Sequence, residues 1–404
     1  MSVPTPRLYQ PNRDCFCFTL DPDTLRRALA VETGREAFQE ELLSGRPHLF
    51  SNVSTFVTTD ALKQMQAIVT AVERVAADRS YVKAVLAQAP AIARLEHGPR
   101  GAFMGYDFHL SPDGPRLIEI NTNAGGAFLN AVLARAQRSC CAEADALGAR
   151  ISPPNGFEAA VIGMFESEWR LQRGSAALHR IAITDERPFE QYLYPEFLLA
   201  QQLLSRDRRQ VDIVDSSAFT YEDGRLLAGG EPVDLVYNRL TDFALEAPQH
   251  RALREAYVAG DVVLTPSPRN HALLADKRNL IFLSDSEQLA HWGVDAATTA
   301  TLVAGIPRTV AVTPERADDL WADRRRLFFK PAGGFGSKAA YRGDKLTRAV
   351  WADIVAGNFV AQAFAPPSER MVQIDGGPVA RKMDVRLFTY AGEALLVAAR
   401  LYQV

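Results

Sequence analysis

Hydrophobic and polar positions change their rhythm several times along the chain. Residues 20–95 read mainly as helices, and 60–77 (DALKQMQAIVTAVERVAA) sets apolar residues at helical spacing behind a Thr-Thr-Asp start. Two short apolar runs between 101 and 126 then flank Ser111-Pro112-Asp113-Gly114, a hairpin signal. Residues 128–147 read as helix again. From 179 to 265 short apolar runs (181–184, 211–214, 233–240, 262–265) alternate with helical stretches (189–204, 247–258), which predicts an open, mainly parallel α/β unit. Beyond about Leu302 strands outnumber helices, at 326–330, 338–341, 358–364, 385–390 and 395–401. Linkers are expected near 152–156 and at Ile306-Pro307, dividing the chain into 1–150, 151–300 and 301–404. No internal repeat or low-complexity tract interrupts this plan.

A chain of 404 residues is too long for one ordinary core and implies two or three packed units. It is 47% hydrophobic and 23% charged, with net charge -3 and a pI near 6.2, so nothing calls for nucleic acid or an anionic membrane as partner. No leader pattern opens the sequence and no apolar run reaches the length of a membrane span, so the expected compartment is the cytoplasm. The four cysteines (Cys15, Cys17, Cys140, Cys141) have no zinc spacing. Cys140-Cys141 reads as small residues buried on a helix, with a thiol nucleophile pair as the weaker alternative.

The most informative stretch runs from Gly105 to Gly126. A type I turn at Pro112-Asp113 with Gly114 left-handed would set Ser111 opposite Pro115 and Asp107 opposite Glu119. Glu119 and Asn121, two apart on a strand, share a face. Two carboxylates and an amide oxygen suit magnesium, which keeps positions open for phosphate oxygens. The bland alternative is a surface hairpin with scattered acids. If no cation is bound, neighbouring acids repel, and at least one should titrate above its ordinary range.

A second stretch, Leu327-Phe-Phe-Lys330-Pro-Ala-Gly333-Gly334-Phe-Gly336-Ser337-Lys338, reads as strand, glycine-rich loop, strand. It lacks the GK[ST] end of a P-loop, yet such a turn can close over phosphates with backbone N–H groups, and Lys330 stands just before it. Further on, the apolar strand Asn358–Phe364 runs into a bend, where its backbone could pair an adenine edge. Gln362 could meet the exocyclic amine and Glu369 the ribose; alone, they read as a solvated strand residue and an exposed loop acid. Lys277 offers another cation, although by itself it reads as a surface lysine.

Together these stretches resemble the ATP-grasp ligases, such as D-alanine–D-alanine ligase. LIEINTNAGG with Asp107 upstream is similar to their magnesium strand, LFFKPAGGFGSK to their phosphate flap, FVAQAF to their adenine hinge and Asp276-Lys277 to their earlier ATP-contacting lysine. The flap here follows the magnesium strand by about two hundred residues, an inverted order that resembles glutathionylspermidine synthetase and the circularly permuted ATP-grasp proteins. VDLVYNRLTDF and VVLTPSPRNHALLADKRNL are also similar to that group, and the likeness covers 101–126 and about 233–400.

The resemblance implies an α/β protein of α+β lobes, an ATP-grasp fold in permuted order with a Rossmann-like pre-ATP-grasp unit. Asp107, Glu119 and Asn121 would hold Mg2+. Lys277, Lys330, Gly333, Gly334, Gly336 and Ser337 would bind phosphates, and Gln362, Ala363, Phe364 and Glu369 the adenosine. The implied activity joins a small-molecule or peptide carboxylate to an amine through an acylphosphate, using ATP. A kinase or an inactive nucleotide-binding module is the alternative. Arg386 and Arg400, with Lys330, are the candidate catalytic cations. Two departures stand out. Gly105 occupies the position where the D-alanine ligases carry an arginine, so another arginine must serve. The chain stops at Val404 directly after an apolar strand, so a clipped C-terminus is expected.

Overall fold

The computed structural model describes residues 10–33, 45–46, 48–137, 156–206, 208–333, 339–374 and 376–403. The Cys140-Cys141 pair therefore lies outside the described residues. Its largest sheet unites two distant parts of the chain. The hairpin β1 (Met104–Ser111) and β2 (Gly114–Asn121) joins three strands from the other end, β14 (Ser368–Ile374), β15 (Gly377–Tyr390) and β16 (Glu393–Tyr402). The order is β14-β15-β1-β2, with β16 on the free side of β15, and every pairing is antiparallel. β15 turns into β16 through Ala391-Gly392, both at positive φ, the two-residue turn that matches strand twist.

A helix, α1 (Thr59–Ala76), covers one face of this sheet. Its first turn is capped by the Thr58 hydroxyl, which accepts from the Ala61 N–H at 3.2 Å. Met65, Val69 and Val72 are fully buried, in one cluster with Tyr106, Phe108, Leu117 and Ile120. Each such side chain contributes roughly 1.5–3 kcal/mol of burial. Alternation along β1 then leaves Gly105 and Asp107 on the opposite face, where the site lies.

A parallel sheet, β4-β3-β8-β9, is built from β3 (Arg180–Asp185), β4 (Gln210–Asp215), β8 (Leu235–Asn238) and β9 (Val263–Thr265). A small sheet of β5 (Phe219–Glu222), β6 (Arg225–Ala228) and β7 (Glu231–Pro232) flanks it. The last antiparallel sheet, β10-β13-β11-β12, contains β10 (Thr309–Ala311), β11 (Leu327–Pro331), β12 (Tyr341–Arg342) and β13 (Phe359–Ala363) around Phe329, Trp351 and Ile354.

Several expectations shift. The run at 189–204 splits into a 3-10 turn, Pro188–Glu190, and a helix, Tyr194–Leu204, with Pro195 in its first turn, where the missing N–H costs nothing. The helix expected over 128–147 is Ala127–Ala136, capped at Gln137, with the remainder outside the described residues. The strand expected from 338 begins only at Tyr341, after Ala339 at φ 56°. In the β1–β2 hairpin, Ser111 pairs with Gly114, not Pro115. A bulge then follows: Phe108 pairs with Leu117, but Asp107 with Glu119, so Ile118 is the extra residue.

The N-terminal segment is pinned by Arg370, which is fully buried. Its guanidinium donates to the carbonyls of Ser54 (2.9 Å), Asn12 (3.2 Å) and Cys15 (2.5 Å). Arg370→Ala strips several buried acceptors of a charged donor. It should cost roughly 2–4 kcal/mol in denaturant unfolding and speed hydrogen exchange over residues 10–57. Unchanged exchange there would show that other contacts hold the segment.

Candidate nucleotide site

Asp107 is only 1% exposed, on the site face of β1. It pairs in register with Glu119 on one side and Arg386 on the other. Arg386 donates to both carboxylate oxygens, Nε to Oδ1 at 2.5 Å and Nη2 to Oδ2 at 2.6 Å. Arg400 on β16 adds Nη2 to Oδ2 at 2.9 Å while gripping Asp384 at 2.8 and 2.9 Å. Asn121 Nδ2 donates to Oδ2 at 3.1 Å. Burial alone would raise the Asp107 carboxyl, but the charges and hydrogen bonds of Arg386 and then Arg400 outweigh it and hold the group below its ordinary value. The expected upward shift from acid repulsion is thus corrected for Asp107.

Gly105 lies two residues away on the same face. A Cβ there would come within 2.6 Å of the Ala124 Cβ and 3.3 Å of Arg386 Cδ and Nε. The glycine therefore makes room first for Ala124 and then for the arginine of the next strand. A guanidinium stands near the expected place, supplied by β15.

The bulge at Ile118 has a chemical use. Its carbonyl, released from the ladder, accepts from Lys330 Nζ at 2.7 Å. Lys330 also donates to Gln362 Oε1 at 2.9 Å, and Gln362 Nε2 reaches Thr309 Oγ1 at 3.3 Å. Lys277 Nζ lies 3.1 Å from Glu119 Oε1, and its backbone N–H donates to the Ala332 carbonyl at 3.3 Å. Lys277 is 8% exposed, so it is not a surface lysine. The 105–121 hairpin and the strand leading into the glycine-rich loop thus meet at one place. Lys277, Lys330, Arg386 and Arg400 face Asp107, Glu119 and Asp384, leaving one positive charge in excess. Burial draws Lys330 down to about 8; Glu119 opposes the shift and Lys277 adds to it.

The remaining expected residues divide. Gln362 is 2% exposed and holds Lys330, so its side chain is not presented to an adenine. The Ala363 and Phe364 N–H groups donate at 2.8 Å to the Arg308 and Arg326 carbonyls, not to a base. Glu369 is exposed on β14 opposite Lys382. Gly333 has open space where a side chain would stand, while Gly334, Gly336 and Ser337 lie outside the described residues. Arg386 grips Asp107 through Nε and Nη2 and is nearly buried, whereas the Arg400 side chain stays about half exposed (52%).

A magnesium ion could reach Asp107 only by displacing guanidinium, so Asp107 does not fit as a ligand, which corrects that expectation. Glu119 and Asn121 do fit, because magnesium commonly takes one or two protein oxygens and completes its shell with water and phosphates. No three His, Cys, Asp or Glu residues among the described residues are grouped to hold a metal.

The sequence reading missed the loop after β2. Glu196, 1% exposed, accepts from the N–H groups of Gly126, Phe128 and Leu129 at 3.1–3.3 Å and fills that helix N-terminus. Arg239, 6% exposed at the C-terminal end of β8, has an Nε without a hydrogen-bond partner and lies 3.0 Å from where a Gly125 Cβ would be. His271 stacks on Phe243 at 3.6 Å and meets Thr122 Oγ1 at 3.1 Å; burial pulls it down to about 4, so it stays neutral near pH 7. The only advance signal for Arg239 was its place at the carboxyl edge of a parallel strand, where α/β sheets bind ligands.

This architecture is the ATP-grasp fold. Among solved structures, the chain is similar to a glutathione synthetase-like effector from Globodera pallida in its apo form, at 13% identity over 95% of each chain, with a TM-score of 0.55. A protein designated a gamma-glutamylcysteine synthetase from Methylobacillus flagellatus aligns over 87% of this chain and 86% of its own, at 11% identity and TM-score 0.47. The ATP-grasp ligase PsnB, complexed with minimal precursor, Mg and ADP, covers 55% of this chain and 88% of its own, at 15% identity and TM-score 0.29. The latter two are too distant to bear on this chain, and the first speaks for the fold alone. No family model and no curated protein matches the sequence. Among the described residues no helix is long and apolar enough to cross a membrane.

Lys330 attracts phosphate only while protonated, so nucleotide affinity should fall as pH rises through about 8. The loss should approach about tenfold per pH unit above that point. Lys330→Arg, charged throughout, should flatten the profile of ATP dissociation constant against pH. A wild-type profile that is flat across this range would remove Lys330 from the phosphate site.

Proposed function

We propose that the chain is an ATP-dependent carboxylate–amine ligase that works through an acylphosphate. The observation that carries this reading is the convergence of Lys277 and Lys330 on Glu119 at a bulged hairpin, beside a strand that leads into a glycine-rich loop. One positive charge in excess, in a largely buried setting, suits a polyphosphate. The substrate carboxylate would attack the γ-phosphorus of ATP and release ADP. An amine would then attack the acyl carbon, breaking its bond to the phosphate oxygen and losing a proton as phosphate departs. Lys330 and Lys277 hold phosphate oxygens, and Gln362 fixes the Lys330 ammonium. Glu119 and Asn121 would hold magnesium, which when bound offsets charge on the transferring phosphoryl group. Gly333, Gly334, Gly336 and Ser337 would close over the phosphates, and the 363–365 backbone would border the base.

Arg400, half exposed, is the arginine with reach toward a substrate, while Arg386 positions Asp107. Arg239, buried with an Nε that has no hydrogen-bond partner and with Nη2 beside Gly125, is suited to an acidic substrate. We read the order of hairpin before flap as a circular permutation and the cytoplasm as the compartment.

Hydroxylamine traps acylphosphates as hydroxamates and leaves phosphate esters alone. With ATP, Mg2+ and a panel of amino acids and short peptides as acids, hydroxamate should form in step with ADP, and Glu119→Gln should abolish both while leaving the melting temperature near wild type. A stable phosphorylated product without hydroxamate would decide for a kinase. ATP binding with no ADP from any acceptor would decide for an inactive module.

A further inference from the structure

A cavity lies on the far side of β1 from the lysines. It measures about 330 Å3 and is bounded by α1, residues 95–100, Tyr257 and the segment 267–274. That volume is within the range of small-molecule sites. Its wall is fixed in advance. The N–H groups of Arg100 and Gly101 donate to the two oxygens of buried Glu168 at 2.8 and 2.9 Å. Asn270 Nδ2 donates to the Pro99 carbonyl at 3.0 Å. Gly98 sits at φ 104°, where a Cβ would come within 2.6 Å of the Leu171 carbonyl oxygen. A ligand would find a wall already in place, which lowers the ordering cost of binding.

The polar groups are few and converge. Glu73 accepts from the Tyr106 hydroxyl at 2.8 Å, and burial raises its carboxyl while the Arg100 charge opposes the rise. His97 turns its ring edge to Tyr257 at 5.0 Å, and its buried Nε2 has no hydrogen-bond partner. Arg269 is paired with Glu96 at 3.1 Å. Leu95, Leu264, Leu273 and Leu274 supply apolar wall. The charges of Glu73 and Glu96 balance those of Arg100 and Arg269. That balance differs from the lysine site and offers no surplus for a phosphate.

We propose that this cavity binds an amino-acid-sized zwitterion with an apolar side chain. Its ammonium meets Glu73, its carboxylate meets Arg100, and its side chain lies on the leucines. The site is separate from the nucleotide site but touches the segments that build it. Tyr106 directly precedes Asp107 on β1, and Leu273-Leu274 stand in the π-helical turn His271–Ala275 just before Lys277. The inference does not depend on the ligase reading.

Isothermal titration of the full chain with each of the twenty standard L-amino acids, without ATP, tests it. At least one apolar amino acid should bind and should slow hydrogen exchange at 95–101 and 271–275. Its N-acetyl and amide derivatives should each bind about tenfold or more weakly, because each leaves a charged partner unmet. Arg100→Ala, at an exposed side chain that folding tolerates, should weaken binding likewise, and Lys330→Ala should not. The proposal fails if none of the twenty binds. It also fails if protection falls instead on 104–121 and 327–331, or if Lys330→Ala abolishes binding while Arg100→Ala spares it.

Discussion

Asp107 is a carboxylate with almost no contact with water, and it is tolerable only because two guanidinium groups from the far end of the chain close on it. An isolated buried charge of this kind costs several kcal/mol, and taking one partner from a buried pair typically costs about 3–5 kcal/mol. Arg386 and Arg400 sit on β15 and β16, so the acid is paired only when residues 377–402 have docked against β1. Closing these two distant segments of the chain into one sheet and completing the floor of the site are therefore the same event. Gly105 is required chiefly by Ala124, whose Cβ any side chain there would strike, and it also leaves space for the Arg386 stem.

Lys330 depends on that floor. It is held by the Ile118 carbonyl, which is available because the hairpin bulges there, and by Gln362, itself fixed on Thr309 of the neighbouring strand. An ammonium so confined has lost much of its hydration, which is why its pKa falls to about 8. An arriving anion would restore the electrostatic partner that burial removed. A lysine in water would gain far less from the same phosphate.

The elements were largely legible in the sequence, because alternation and helical spacing report directly on burial. The parallel sheet over 180–265 and the hairpin around Gly114 followed from pattern alone. The Asp107–Glu119 pairing was reached with the wrong turn: the chain uses a tighter turn and then spends the extra residue at Ile118, and the two differences cancel at Asp107. The role of Asp107 was not legible. An acid on a strand looks the same in sequence whether it awaits a cation or already holds two arginines more than 250 residues away. Gln362 failed for the same reason, since nothing near it names Lys330 as its partner. Glu196 was invisible, and Arg239 was marked only by its place at a strand's carboxyl edge, because their significance lies in the loop at Gly125-Gly126, which only the folded chain brings to them.

Strand β1 separates two chemistries by its pleat. The chain as a whole carries net charge -3, yet the face with Asp107 gathers four cations against three carboxylates, so the field there is set by local placement and not by composition. One residue earlier, Tyr106 points the other way and spends its hydroxyl on Glu73, which lines a cavity whose charges balance. Successive side chains of a strand face opposite sides, so an occupant that pulls on Glu73, and through it on Tyr106, acts on the backbone that carries Asp107. Asp107 is tied to Arg386 and Arg400, and its ladder partner Glu119 to Lys277. The stiffness that buries the acid is thus also what would carry a small movement from one face of the sheet to the charged groups on the other.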